Sequence, residues 1–219
     1  MFEKLKKYIK LSVQPVPFDP SGFQDPLALS TEWTPLKGGG SNFQTHKLVN
    51  TGVNQMRFKA TIGARMFSSV FIVVGLLAPA FILNGINQAN EPVGMMDYLT
   101  PLIFGLIFAG VGGFILYKYS KPAVFDRLNG YYWKGWKEPD LLMVEGNSHE
   151  SVRLGDIYAI QLIREYIRSD KSSYYSYELN LVLKDGTRLK VIDHGNSNSI
   201  RQDAKILSEF IGKPVWDAI

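Results

Sequence analysis

The chain has no cysteine, so disulfides, thiolate metal sites and a cysteine nucleophile are excluded. It also lacks a strong charge of either sign. The 219 residues carry 24 Lys and Arg against 20 Asp and Glu, a net charge of +4, too mild for a nucleic-acid signature. Histidine is scarce: His46, His149 and His194 stand alone, and none is spaced from another as a metal site requires. No P-loop, dinucleotide fingerprint, nucleophile elbow or zinc-protease helix occurs. Asp193 and His194 are neighbours on a strand and point to opposite faces, so they do not form an acid–base pair with each other. Glu165 and Glu178 fall on adjacent strands and read as surface carboxylates. These absences point away from an enzyme and from any cofactor or metal.

Mean hydropathy is close to zero, at −0.04, but the apolar residues are bunched. Met66–Leu83 and Leu99–Tyr117 run for 18 and 19 residues with no charge in either. A core helix of that length carries a polar stripe; these show none, and about 20 apolar residues cross a bilayer as a helix. The expectation is a two-helix transmembrane hairpin. Pro101 falls in the first turn of its span, and Pro79 inside the other, where a neighbouring helix accommodates a kink. No Asp, Glu, Lys, Arg or His lies in either span, which argues against a pump or a proton-coupled transporter. Nine Lys and Arg precede the first span, the connector 84–97 has none, and Lys118, Lys121, Arg127, Lys134 and Lys137 follow the second. The positive-inside rule therefore puts both termini in the cytoplasm. Gly105, Ala109 and Gly113 form a small-residue ridge that fits either the partner helix of the same hairpin or the seam of a homo-oligomer.

The segment before the first span begins with Phe2, Leu5 and Ile9 at helical spacing among Lys4, Lys6, Lys7 and Lys10. A basic amphipathic helix on the inner leaflet and a solvated terminus both fit. Gly38, Gly39 and Gly40 read as a turn, since no Gly-Lys-Ser/Thr follows. Gln55–Thr61 alternates as a strand. Beyond the second span, Ala123–Asp126 and Tyr131–Lys134 read as a hairpin around Leu128-Asn129-Gly130, and Tyr158–Arg168 and Ser173–Leu183 as longer strands. A three-residue loop with Gly186 left-handed pairs Leu181 with Leu189 and Leu179 with Val191, keeping one face apolar. Ser199 and Gln202 form a capping box for a last helix with Ile200, Ala204, Leu207 and Ile211 as its apolar stripe, stopped by Gly212 and Pro214. Tyr131, Tyr132, Trp133 and Trp136, close in sequence to the second span, read as membrane-interface aromatics. Residues 118–219 hold 15 Lys and Arg against 14 Asp and Glu, which speaks against nucleic acid.

The division expected is residues 1–62 as a cytoplasmic segment, 63–118 as the hairpin and 119–219 as a β-rich domain closed by a helix, an α+β membrane protein. Val124-Phe125-Asp126 to Trp133, the Leu154-Gly155-Asp156-Ile157 lead-in, the Asp-Gly hairpin and the capped last helix resemble those of bacterial membrane-anchored proteins with a pleckstrin-homology-like (PH-like) domain. The resemblance covers residues 63–219. It implies a multi-pass inner-membrane protein and a non-enzymatic scaffold whose domain binds a protein partner or lipid headgroups through an open sheet edge or its loops. The alternative is an immunity or accessory protein that neutralises a membrane-targeting toxin through the hairpin and its external turn.

Overall fold

The computed structural model describes residues 12–15 (main chain), 17–88, 92–139, 151–168 and 172–219. The basic N-terminal stretch with Lys4, Lys6, Lys7 and Lys10 lies outside the described residues. The architecture is α+β, with two long apolar helices and two largely antiparallel sheets. The chain divides into two units, Met1–Lys59 with Pro122–Ile219, and Ala60–Lys121. The two flanks that the sequence reading kept apart are thus halves of one unit.

The second unit is a helix pair, α2 (Ile62–Gln88) and α3 (Met95–Ser120). Each exceeds its apolar run by several residues, so Pro101 is interior to α3 rather than in its first turn. Both are long and apolar enough to cross a membrane, and only 17% of the apolar window of each is buried. Their seam is built from backbone. A methyl on Gly75 would lie 2.5 Å from the amide nitrogen of Ala109 and 2.7 Å from the carbonyl of Gly105, and one on Gly112 would lie 2.8 Å from Phe71 Cβ. Pro79 has no N–H to offer the Gly75 carbonyl four residues earlier, and a methyl on Gly105 would overlap that carbonyl and the Pro79 ring. Gly105 and Ala109 therefore lie on the seam between the two helices of the hairpin. Gly113 does not: a methyl there would meet nothing within 4 Å among the described residues, and Gly112 takes its place. The reason is the helical period, since four-residue steps from Gly105 drift off a face that turns every 3.6 residues.

The first unit packs two five-stranded sheets. One has the order β2 (His46–Gly52), β3 (Gln55–Ala60), β4 (Ala123–Asp126), β5 (Tyr131–Lys134), β6 (Ser151–Arg153). The other runs β1 (Ser12–Pro15), β7 (Ile157–Arg168), β8 (Ser173–Leu183), β9 (Arg188–His194), with β10 (Val215–Ala218) parallel to β7. Phe58, Phe125, Tyr132 and Val152 from the first sheet share one apolar core with Ile160, Leu162, Leu179 and Leu181 from the second and with Ile200, Ala204 and Leu207 of the helix α4 (Ser197–Ile211). Tyr132 and Trp133 are therefore not interface aromatics. Tyr132 is 1% exposed, with its ring 4.8 Å from that of Phe125, and Trp133 is buried beside it. Trp136 is the exposed one, at 65%.

Local detail follows the sequence with three corrections. Gly186 is left-handed at φ 82° and Leu181 faces Leu189. A bulge at Val191 then shifts the ladder, so Leu179 faces Ile192 instead of Val191. The N-cap of α4 is Asn196, whose side chain accepts from the Ser199 amide at 2.9 Å, and not Ser199 itself. Gly212 ends the helix in the left-handed conformation, and the chain continues into β10 rather than stopping.

Replacing Gly105 with leucine should part the two helices. In this cysteine-free chain, cysteines placed at Phe71 and Phe108, whose rings lie 5.9 Å apart, should join efficiently through a short bis-thiol reagent. Adding Gly105→Leu should abolish most of that product.

Candidate functional site

The alternation along β7, β8 and β9 puts one residue set into the shared core and the other onto the opposite face of the sheet. That opposite face is ordered in rows: Ala159, Val182 and Arg188; Gln161, Asn180 and Lys190; Ile163, Glu178 and Asp193; Glu165 and Ser176. Sequence alternation alone marks it as the solvent side. It is buried, because residues 18–45 lie over it.

The covering segment is fixed at its start by aromatic packing. A short helix, α1 (Pro26–Ser30), is capped by Asp25, which also accepts from Tyr158 Oη at 3.0 Å. The rings of Phe18 and Phe23 pack on Trp33, and Trp33 on Trp216 of β10, over Ala28, Ala159 and Val182. At its far end the Phe43 carbonyl accepts from the Gly195 amide at 2.9 Å, and Thr45 Oγ1 donates to the Asp193 carbonyl at 2.6 Å.

Between those anchors the sheet holds the main chain of the strap with side chains. Gln161 Nε2 donates to the Glu32 carbonyl (3.0 Å) and Arg188 Nη1 to that of Thr34 (2.7 Å). Glu178 accepts from the amides of Leu36 (2.8 Å) and Lys37 (3.4 Å), and Glu165 from those of Gly39 (2.8 Å) and Gly40 (3.2 Å). Lys190 Nζ approaches the Lys37 carbonyl at 3.4 Å, and Tyr174 Oη donates to that of Gly40 at 3.1 Å. The glycine run thus does more than turn. Gly39 has φ 88°, and a methyl on Gly40 would lie 2.8 Å from Ser176 Cβ, so only glycine lets the strap come this close.

Charge on the face is balanced locally. Lys190 Nζ lies 3.0 Å from Glu178 and 2.6 Å from Asp193. Burial opposes the charged form of both Lys190 and Asp193, but their mutual attraction prevails, holding Lys190 above its ordinary value and Asp193 below its own. The pair is therefore ionised at neutral pH, and Asp193's contribution to stability is lost only as pH falls below the ordinary carboxylate range. Two buried polar atoms on this face, Ser176 Oγ and Asn180 Oδ1, have no hydrogen-bond partner among the described residues.

Two edge strands carry side-chain contacts. Lys134 Nζ donates to the Val191 carbonyl at 2.6 Å and approaches that of Lys190 at 3.4 Å, beside the Thr45 bond to Asp193. On β2 the Leu48 amide is taken by Asp203 of α4 at 3.2 Å. Such contacts occupy groups that an added strand would need.

Two buried groups near β2 carry opposed pKa shifts. Burial raises Asp203 to about 6. Burial, aided by the nearby His46, lowers His194 to about 4. The Asn196 amide donates to His194 Nδ1 at 3.2 Å, so the ring proton sits on Nε2, which is buried without a partner. Asp193 turns to the strap and His194 does not, as the strand alternation implies. Among the described residues no cluster of three His, Asp or Glu is placed to hold a metal ion. No family model, no curated protein and no solved structure matches the chain.

The fold is penalised when Asp203 is charged, so its cost is full above pH 6 and disappears as pH falls toward 3.8. His194 acts the other way: its neutral form suits the fold, and stability is lost as pH falls from 6.5 toward 4. The two largely cancel. Asp203→Asn should stabilise the protein at pH 7.5 by up to about 3 kcal/mol, and the gain should vanish by pH 4. Denaturation midpoints across that range check it; an equal gain at both pH values would refute the assignment.

Proposed function

We propose that this is a non-enzymatic inner-membrane protein, anchored by the α2–α3 hairpin with both termini in the cytoplasm, that presents its two-sheet unit as a protein-binding scaffold module. The observation that carries the anchor is the exposure of the hairpin: it is apolar nearly all round, yet leaves most of that surface uncovered, with Phe81, Leu106 and Phe114 each more than 60% exposed. In water such a surface drives aggregation; in a bilayer it is the solvated state. The cation asymmetry across the spans supports the orientation. A glycine-lined seam that brings backbones together is what helix association in lipid favours.

The module reading is supported by what the first unit presents: a two-sheet sandwich with an amphipathic helix on its core. That arrangement is in keeping with a PH-like module, with two departures: a parallel strand after the helix and a strap across the second sheet. Tyr131 and Trp136 remain the aromatics of this unit proposed for the headgroup region. Gly135 donates to the Pro122 carbonyl at 2.8 Å, so Trp136 lies beside the point where the chain returns from α3.

Single cysteines give the test. Val93→Cys, in the connector, should react in intact cells with a membrane-impermeant maleimide, whereas Lys213→Cys should react only after lysis. The protein should also stay in the pellet on alkaline carbonate extraction, and in-membrane cross-linking should join the first unit to a defined protein. Release by carbonate, or the reverse labelling, would overturn the anchor.

A further inference from the structure

The strap across β7–β9 is bound in an unusual way. From Glu32 to Gly40 its main chain meets the sheet at eight groups: the carbonyls of residues 32, 34, 37 and 40 and the amides of residues 36, 37, 39 and 40. Every partner is a side chain of the sheet. The strap's own side chains at Glu32, Thr34, Leu36 and Lys37 are exposed. Covering a sheet is done most cheaply with apolar contact. Here the sheet instead buries Glu165, Glu178 and Gln161 to contact the backbone of a segment whose side chains it touches little beyond the Glu32–Arg188 ion pair at 3.0 Å.

We propose that this face is a binding site for an extended peptide of a partner protein, with a glycine at the crossing point, and that residues 34–41 occupy it in cis. The proposal rests on the reading of the first unit as an interaction module and names its surface. Three features carry it. A face that grips main-chain groups is indifferent to most of the sequence lying on it, and so accepts another extended chain. Ser176, beneath Gly40, demands glycine at that position, and the left-handed backbone favours it at the one before. Ser176 Oγ and Asn180 Oδ1, both on residues under 2% exposed, find no partner among the described residues, the resident strap included, so the cis segment does not exhaust the hydrogen-bonding capacity of the face.

The strap is also built to leave without unfolding the unit. Its ends are held separately, by the Trp33 ring cluster and by the Phe43–Gly195 and Thr45–Asp193 bonds. Between them no large side chain is buried, which is the profile of a segment that opens locally. While the strap is closed, the apparent affinity for an outside peptide is reduced by the fraction of open molecules.

The test uses the full-length protein in detergent micelles and a fluorescent peptide with the sequence of residues 34–42. Gly40→Ala in the protein pushes its own strap off Ser176. This variant should bind the peptide about tenfold or more tighter than wild type, in line with release from the closed state. Adding Glu178→Gln should remove the gain, and a peptide with alanine at the position of Gly40 should not bind. If Gly40→Ala keeps the near-ultraviolet dichroism of the aromatic cluster yet binds no better than wild type, or binds the alanine peptide equally well, the site is refuted. If the variant does not fold, hydrogen exchange on the wild type decides. Amides of residues 36, 37, 39 and 40 exchanging well before those of β8 support the proposal, and exchange only on global unfolding overturns it. A partner still cross-linked in membranes while the peptide fails would refute this site and leave the module reading intact; loss of both would refute both.

Discussion

The carboxylate of Glu178 is the constraint on which the first unit turns. It is 2% exposed and satisfied by four donors: the amides of Leu36 and Lys37, Asn180 Nδ2 and Lys190 Nζ. Two of the four come from a segment more than 140 residues earlier. A buried carboxylate that loses its donors costs several kcal/mol, roughly 3–5. The face of β8 therefore cannot be completed by the chain that follows the hairpin. It requires the chain that precedes it, and this is why residues 17–59 and 122–219 form one unit across an intervening helix pair. Glu165 repeats the arrangement one step along, with Gly39 and Gly40 as donors.

That requirement explains the asymmetry of the sheet's two faces. The core side is closed by shape: Leu179, Leu181 and Ile160 against Phe58 and Phe125 across the sandwich, with Leu207 of α4 alongside. The strap side is closed by hydrogen bonds, with apolar packing confined to the end where Trp33 and Trp216 meet. Apolar closure is strong and non-directional. Polar closure is directional and weak in net energy, and it tolerates opening because water can take over each bond. One sheet thus has a permanent side and an exchangeable side.

What was legible in the sequence was whatever a local period expresses. The long helices, the strands from Ala123 onward, the Gly186 loop and the stripe of α4 all follow from spacing alone. What was not legible depends on partners distant in the chain. Ser176, Glu178 and Asn180 alternate with leucines and tyrosines as a solvent face would, and nothing within β8 signals that another segment covers them. The glycine run was visible, but its reason, the approach of Gly40 to Ser176, belongs to a contact between residues 136 apart in the numbering. Strand β2 escaped for a similar cause, since Lys47 and Asn50 break its alternation and its pairing with β3 supplies the order. Tyr132 and Trp133 misled because nearness in sequence to an apolar span stood in for position, whereas the pairing of β5 with β4 turns Tyr132 into the core. Gly113 misled by arithmetic, one residue off the seam.

The hairpin obeys the opposite logic, and the contrast orders the events of folding. Its seam is local, formed by Gly75 and Pro79 meeting Gly105 and Ala109 within one helical pair, with no room for a side chain at Gly105. Nothing in it waits for residues outside 60–121. The first unit waits for everything: β3 pairs with β4 only after both helices have been made, because Phe58 and Ala123 face each other across that gap in sequence. Until then Glu165 and Glu178 have no strap, and residues 34–41 have no sheet. Contacts of such high sequence separation form late and slowly. The hairpin therefore precedes the sandwich, and the strap, held between its anchors by hydrogen bonds rather than by apolar packing, is the last part to close and the first able to open.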